Sequence, residues 1–302
     1  MRVIVRNYTR FVRTALLLVF SMLLPAADLK IDHVTVAGKD LKAMQATLAA
    51  VGIPSEYGGP HSNHATEMAL TSFPDGSYME LIAIQPKADP AAVAAHYWSK
   101  RMLNDGGPCA WAVRPGDLAA EVKRLQAAGV AANSPVRAGR ARPDGVRLEW
   151  ETANVGEGPN GMFFPFLIRD FTPREQRAYP GGKPSTQDFA GVARVVIAVR
   201  DLKTSVKRYR EAYGLPAPVQ QTDARFGARL ASFPGTPAVL ATPLNASSWL
   251  TARLNTLGEG PCAFILGARN AKSYRTSSKT TWFGASISWL DTRKTGWWLG
   301  YQ

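Results

Sequence analysis

Only two cysteines, Cys109 and Cys262, and only four histidines occur in 302 residues. There is no CxxC pair and no HExxH motif, so neither a zinc ribbon, a thioredoxin-like redox centre nor a zincin-type protease is encoded. GxSxG is absent as well, which removes local support for a Ser/His/Asp hydrolase. The glycines of "NVGEGPNG" (154–161) precede no helix. They form no phosphate-binding fingerprint and read as a flexible loop.

Acidic residues are scarce: 23 against 36 Lys and Arg, for a net charge of +13. The basic residues are dispersed, with clusters over 137–147 and 269–279, and no aromatic-interleaved basic stripe accompanies them. The pattern describes a solvated basic surface with no nucleic-acid partner, mildly attractive to anionic small molecules.

Long apolar runs are missing too. The longest, Ala15 to Leu24, is too short for a bilayer crossing, which needs about 20 residues. Arg2, Arg6, Arg10 and Arg13 precede it and "PAAD" follows. A positive start, a short apolar run and small residues are the three parts of a secretory signal peptide. Residues 1–27 are therefore expected to be removed, leaving no stable membrane span and a secreted or periplasmic protein. Cleavage would lower the net charge from +13 to +9.

What remains is ordinary globular material, 46% hydrophobic and 10% aromatic, long enough for two domains. An internal repeat divides it. "KDLK" (39–42) returns as "RDLK" (200–203), "AAVGIP" (49–54) as "EAYGLP" (211–216), "ALTSFPDG" (69–76) as "RLASFPGT" (229–236), and "GPCAW" (107–111) as "GPCAF" (260–264). The order is kept throughout. Two related domains, 29–170 and 189–302, are joined by a Pro-, Gly- and charge-rich segment, 171–188, that reads as a linker.

Each domain divides again. "IDHVTVAGKDLKAMQATLAAVGI" is an alternating strand, an Asp40 N-cap and a helix ending near Gly52. "CAWAVRPGDLAAEVKRLQAAGV" follows the same plan, and strands follow each helix. The unit is βαβββ. The third unit, from Val192, keeps it, and the fourth lacks the long amphipathic helix. The expected fold is α+β, with paired βαβββ modules forming curved mixed sheets in two tandem domains.

Paired βαβββ units with "DHV" on the first strand and "YMELIAI" on the last resemble the vicinal oxygen chelate superfamily, most closely its glyoxalase-like domain branch. The fragments "LKIDHVTVAGKDL", "GGPHSNHAT", "FPDGSYMELIA", "RPDGVRLEW" and "PFLIRDF" carry the likeness in order across 29–170, and 189–302 follow more loosely. The resemblance implies a cavity inside each paired module and a divalent metal held by the first and last strand of each unit. It assigns His33 and Glu80 to that role in unit one, with Zn, Ni, Mn or Fe as cofactor.

The residues of the first domain partly agree. Strand alternation puts Ile31, His33 and Thr35 on one face, and Tyr78, Glu80 and Ile82 on one face of the last strand. A carboxylate within "YMELIAI" requires a partner or a cation. Unit two offers only Ala110 in the place of His33, and Pro165 or Phe166 in that of Glu80. Domain two offers Arg194, Val239 or Leu240, and Ala263. The metal set is thus incomplete. His61 or His64 could supply a third ligand, or contact a bound molecule directly. Arg147 or Trp150 could edge the cavity, although their opposite parity lets only one face inward.

Two functional readings follow. A binding module would hold a small oxygen-rich or hydrophobic molecule in the first domain without a complete metal site. The alternative is a divalent-metal-dependent lyase, isomerase or dioxygenase in which Glu80 is catalytic. A third possibility makes domain two a structural partner, and self-association into a homodimer stays open. Cys109 and Cys262 occupy matching positions in different domains, so they are expected to lie apart as small buried residues rather than as a disulfide.

Overall fold

The computed structural model describes residues 28–270 and 274–302. The expected signal peptide, 1–27, lies outside the described residues.

The first module comprises β1 (Ile31–Ala37), α1 (Leu41–Ala49), β2 (Glu56–Pro60), β3 (Thr66–Ser72) and β4 (Tyr78–Ile84). Two short helices, α2 (Pro90–Ala95) and α3 (Ser99–Leu103), lead into the second: β5 (Gly107–Val113), α4 (Leu118–Ala127), β6 (Val136–Ala141), β7 (Arg147–Ala153) and β8 (Phe166–Asp170). After α5 (Arg174–Ala178), the third module runs β9 (Phe189–Ala198), α6 (Leu202–Tyr213), β10 (Val219–Asp223), β11 (Ala228–Ser232) and β12 (Ala238–Pro243). The fourth follows α7 (Trp249–Leu257) and consists of β13 (Gly260–Ala268), β14 (Thr276–Trp282), β15 (Ala285–Leu290), α8 (Thr292–Thr295) and β16 (Trp298–Tyr301). Among the described residues it has no helix between β13 and β14.

The same chemistry starts three of the main helices. Asp40, Asp117 and Asp201 sit at the N-caps, and their carboxylates accept from the backbone N–H groups of Ala43, Ala120 and Thr204. Gly214 closes α6 in the left-handed conformation that glycine adopts without steric cost.

Eight strands form each sheet, in the order β2-β3-β4-β1-β5-β8-β7-β6 and β10-β11-β12-β9-β13-β16-β15-β14. In the first, β1 and β5 pair antiparallel at the centre, and each runs parallel to the last strand of its own module. The sheets curl into half-barrels. Val34, Val36, Met79, Leu81 and Trp111 turn toward the helices and join Leu41, Leu48 and Leu125 in one apolar cluster that continues into domain two.

The insides of the two half-barrels differ. In domain two, Phe226 packs against Trp249, Trp282, Trp289 and Trp298 at ring-centroid distances of 5.0–5.6 Å, filling the cup. Val239 takes the place corresponding to Glu80, since it pairs with Val196 as Glu80 pairs with Thr35. Both valines belong to this aromatic-centred cluster.

The two cysteine motifs meet, contrary to the expectation of separated sites. Arg101 Nη2 donates to the carbonyls of Leu257 (2.8 Å) and Glu259 (3.3 Å). Arg253 reaches Gly106 O at 2.9 Å and donates to the matched carbonyls of Pro108 and Pro261. Two arginines that precede the two motifs thus clamp β5 and β13 together. Both thiols stay free and buried. Burial pushes each up to about 12, which makes them inert packing residues at neutral pH.

The segment 171–188 is not a loose tether. It forms α5, and Tyr179 OH donates to Phe73 O at 3.1 Å. Gly181 N donates to Glu56 Oε2 at 2.7 Å, and Ser185 N to Ser72 O at 3.1 Å. Its anchors lie on β2, on β3 and just beyond β3, so it straps the first domain before entering the second.

Trp289→Ala, which empties the middle of the domain-two aromatic cluster, is expected to cost about 3–5 kcal/mol. Denaturant titration measures that loss, and the site in domain one should keep its properties under native conditions.

Candidate functional site in the first domain

The half-barrel of domain one encloses a cavity of about 250 Å³. Its wall alternates as a half-buried sheet requires. Tyr78, Glu80 and Ile82 face in from β4, Trp150 and Thr152 from β7, Phe166 and Ile168 from β8, and Ala138 and Arg140 from β6. Arg140 Nη1 donates to Gly58 O at 2.7 Å, and Ser62 Oγ donates to Gly139 O at 3.1 Å. These bonds draw the outermost strands β2 and β6 toward each other around the cavity.

A β-bulge changes the expected parity of β1. Ile31 pairs with Val113 while His33 pairs with Ala112, so Asp32 is the extra residue. Ile31 packs in the helix-side cluster instead of sharing a face with His33. Asp32, 1% exposed, bonds His33 Nδ1 through Oδ1 at 2.6 Å. The His33 ring stacks on Tyr78, with centroids 4.8 Å apart, and meets the edge of Phe166 at 5.3 Å.

Beneath that stack lies a network of four charges. Arg177 Nη2 donates to Asp32 Oδ2 at 2.9 Å and Asp170 Oδ2 at 3.0 Å, and its Nη1 reaches Tyr78 OH at 2.5 Å. Arg174 also pairs with Asp32, and with Asp170 at 3.1 Å. Two carboxylates and two guanidiniums balance, which permits their burial. Burial opposes ionisation of Asp32, but Arg177, Arg174 and the His33 bond outweigh it and hold its carboxyl far below the usual range. Burial likewise opposes the charge on Arg177, yet Asp32, Tyr78 and Asp170 push its pKa well above the ordinary value. Burial, tempered by Arg177, pushes the Tyr78 phenol up.

Glu80 lies two residues beyond Tyr78 on β4 and lines the same cavity as His33. It pairs across β1 with Thr35, whose hydroxyl donates to Oε2 at 3.1 Å. His61 Nε2 approaches Oε1 at 3.5 Å, and His61 Nδ1 is held by Thr66 Oγ1 at 2.8 Å. Burial lowers the His61 pKa despite the Glu80 charge, so the ring is neutral at pH 7. His96 also lines the cavity, and burial brings it down to about 4. A carboxylate beside a neutral imidazole can accept and pass on a proton.

The loop 154–161, read from sequence as flexible, is pinned across the sheet. Gly161 O accepts from Trp111 N at 3.0 Å, and Asn160 O accepts from Trp98 Nε1 at 3.0 Å. Gly161 adopts φ +70, and a Cβ there would lie 2.8 Å from Trp111 O and 3.0 Å from the Ala110 side chain. The loop therefore covers the place where unit two would offer a metal ligand.

The expected site residues divide. His33, Glu80, His61 and Trp150 meet at the cavity. His64 does not: it is exposed, in a left-handed turn with φ 58. Arg147 points outward from β7 and pairs with Glu149 at 3.2 Å, since alternation sends Trp150 inward instead. Arg140, Arg177 and Asn160 were missed. Arg177 lay in a presumed linker and Asn160 in a presumed flexible loop. Arg140 lay on a strand with no marked pattern.

A metal does not suit these residues. Asp32 takes Nδ1 of His33 and leaves Nε2 free, but Ala110 and Phe166 bring no donor, and His33, His61 and Glu80 do not converge as the three ligands a catalytic site uses. Among the described residues no group of three or more His, Cys, Asp or Glu side chains could hold an ion.

Asp32→Asn is expected to cost about 3–5 kcal/mol, because Arg174 and Arg177 would lose a buried partner. The lowered Asp32 pKa adds stability that is complete above the ordinary carboxylate value near pH ~4 and is lost as pH falls below it. Acid titration followed by circular dichroism should show that loss in the wild type and a flatter profile in the variant.

A glyoxalase-like domain family profile matches residues 31–213. No curated protein sequence matches significantly. Among solved structures, a hypothetical protein from Staphylococcus aureus superposes with a TM-score of 0.62 at 13% identity, covering 90% of this chain and 98% of its own. Methylmalonyl-CoA epimerase from Mycobacterium tuberculosis aligns at 20% identity with a TM-score of 0.33, covering 38% of this chain and 89% of its own. With the profile spanning more than half of its length, the chain belongs to the glyoxalase-like domain family, in the vicinal oxygen chelate superfamily, as a tandem of two curved-sheet domains.

Proposed function

We propose that the first domain binds a small molecule with an apolar body and oxygen substituents, without a metal, and that the second domain is its structural partner. One contrast carries this reading. The cup of domain one keeps a cavity of about 250 Å³ with Glu80, His61 and Asn160 among apolar walls, whereas the cup of domain two is filled by Phe226, Trp282 and Trp289. Small-molecule sites are typically apolar clefts with a few placed polar groups. Trp150, Phe166 and Ile168 supply the apolar contact, and Glu80 and His61 supply acceptor and donor. Arg177 orients Tyr78 from below.

The Glu80–His61 pair extends this reading toward catalysis by proton transfer. Glu80, fixed by Thr35, would take an acidic hydrogen of the bound molecule, and neutral His61 would exchange it with solvent at the rim. Lyase or dioxygenase chemistry through Zn, Ni, Mn or Fe is not carried forward, because the donor set is incomplete. The basic, apolar start of the chain supports export, so we place this binding outside the cytoplasm. Amino-terminal sequencing of the mature protein tests that placement: an intact Met1 would overturn it.

The binding reading is tested by thermal-shift screening of small oxygen-bearing aromatics against protein purified with and without EDTA. Ligand-induced stabilisation should survive EDTA, fall at least about tenfold in apparent affinity in Glu80→Gln, and vanish in Trp150→Ala. Stabilisation lost in EDTA and restored by one of the four metals would reverse the metal-free assignment.

A further inference from the structure

Arg140 is a buried charge of a different kind from Arg174 and Arg177. It is 6% exposed and lines the cavity, yet its one hydrogen bond, from Nη1, goes to a neutral carbonyl, Gly58 O. No described carboxylate lies within ion-pair distance of it, whereas Arg174 and Arg177 pair with two carboxylates each. Arg101, also buried without a carboxylate partner, spends its donors on the carbonyls of Pro108, Leu257 and Glu259, but Arg140 does not fill its donors this way. A guanidinium has five donors, and burying them without an anionic partner is costly. Among the described residues Nε and Nη2 of Arg140 have no protein acceptor, and they are open to the cavity rather than sealed from it.

A second polar group is also unmet. Asn160 is 8% exposed and lines the same cavity; its side chain is in hydrogen-bond range of the Tyr97 hydroxyl, while its Oδ1 is buried without a hydrogen-bond partner. An orphaned acceptor of this kind is uncommon in native proteins and calls for a donor. Glu80 and His61 lie close enough to Arg140 for their charges to interact, but they do not neutralise it by contact.

We infer that Arg140 is the anion-recognition residue of the cavity and that the ligand is a small carboxylate with an apolar or aromatic body and a hydroxyl or amino substituent. The carboxylate takes Nε and Nη2 of Arg140, the planar pairing that guanidinium geometry favours. The substituent donates to Asn160 Oδ1 or to Glu80, and the body rests on Trp150 and Phe166. This inference rests on the proposed binding function of the same cavity. It adds charge as the property selected. A monoanion suits one unpaired guanidinium. A dianion would face Glu80 with its second charge unmet.

Calorimetric titration of the full protein with matched pairs tests it: mandelate against mandelamide, and 4-hydroxyphenylacetate against 4-hydroxyphenylacetamide. Carboxylates should bind at least about tenfold more tightly than their amides. Arg140→Gln should remove that preference by weakening the carboxylates while leaving the amides within about twofold, and Arg140→Lys should restore part of it. Because Arg140 also holds Gly58, the melting temperature of each variant is read alongside. A loss shared equally by carboxylate and amide would show that Arg140 only shapes the cup, which overturns the inference. Equal wild-type affinity for acid and amide would also overturn it and leave the cavity's binding function standing. Failure of every probe to bind the wild type would remove both.

Discussion

The site depends on the burial of Asp32. A β-bulge places this carboxylate inside the first domain, where water cannot solvate it, and two arginines from outside the sheet neutralise it. Everything around the floor of the cavity follows from that requirement. Arg174 and Arg177 must come inward, so the chain after β8 must turn into α5 and lie across the sheet. Arg177, once there, holds Tyr78, and Tyr78 fixes His33 by stacking. Buried ion pairs add little net stability over apolar packing, but an unpaired buried charge is strongly unfavourable. The network therefore specifies geometry more than it adds stability, and it joins the strap between domains to the cavity.

The two domains use one topology for different ends. Their strand orders match, and their central strands pack through the repeated Gly-Pro-Cys motif, clamped by Arg101 and Arg253. Side-chain volume separates them. Large aromatic side chains fill the domain-two cup, while the corresponding space in domain one is bounded by polar groups that apolar filling would strand. Glu80, Arg140 and Asn160 each need a polar counterpart, so this cavity cannot simply be packed shut. The second domain instead contributes apolar surface: Tyr209 and Tyr213 pack against Phe163 and Phe164, at the end of the loop that carries Asn160.

Much of the framework was legible in the residues because its signals are local. Asp40, Asp117 and Asp201 mark helix starts by the capping bond they make, and alternation puts Tyr78, Glu80 and Ile82 on one face and lets only one of Arg147 and Trp150 face inward, without saying which. Alternation failed at Ile31 because one extra residue reverses every face assignment before it, and nothing in "KIDHV" announces a bulge. His64 looked equivalent to His61 in "GGPHSNHAT". Only the turn, with its left-handed residue, sends one ring to the rim and the other to solvent. The Pro- and Gly-rich segments 171–188 and 154–161 read as a linker and a flexible loop, yet they carry Arg177 and Asn160, because such residues also permit the tight turns that bring a chain back over a sheet.

The sequence by itself determined the duplicated βαβββ plan, the asymmetry between the domains and the absence of metal ligands in unit two, since each depends on residue type at positions set by local periodicity. Tertiary structure alone decided which polar groups share the cavity. Asp32 meets Arg174 and Arg177 across more than a hundred residues, and Arg140, Glu80 and Asn160 come together from three separate elements. Contacts at that separation are selected by the closure of the half-barrel and by the need to neutralise buried charge, and neither leaves a short-range pattern in the chain.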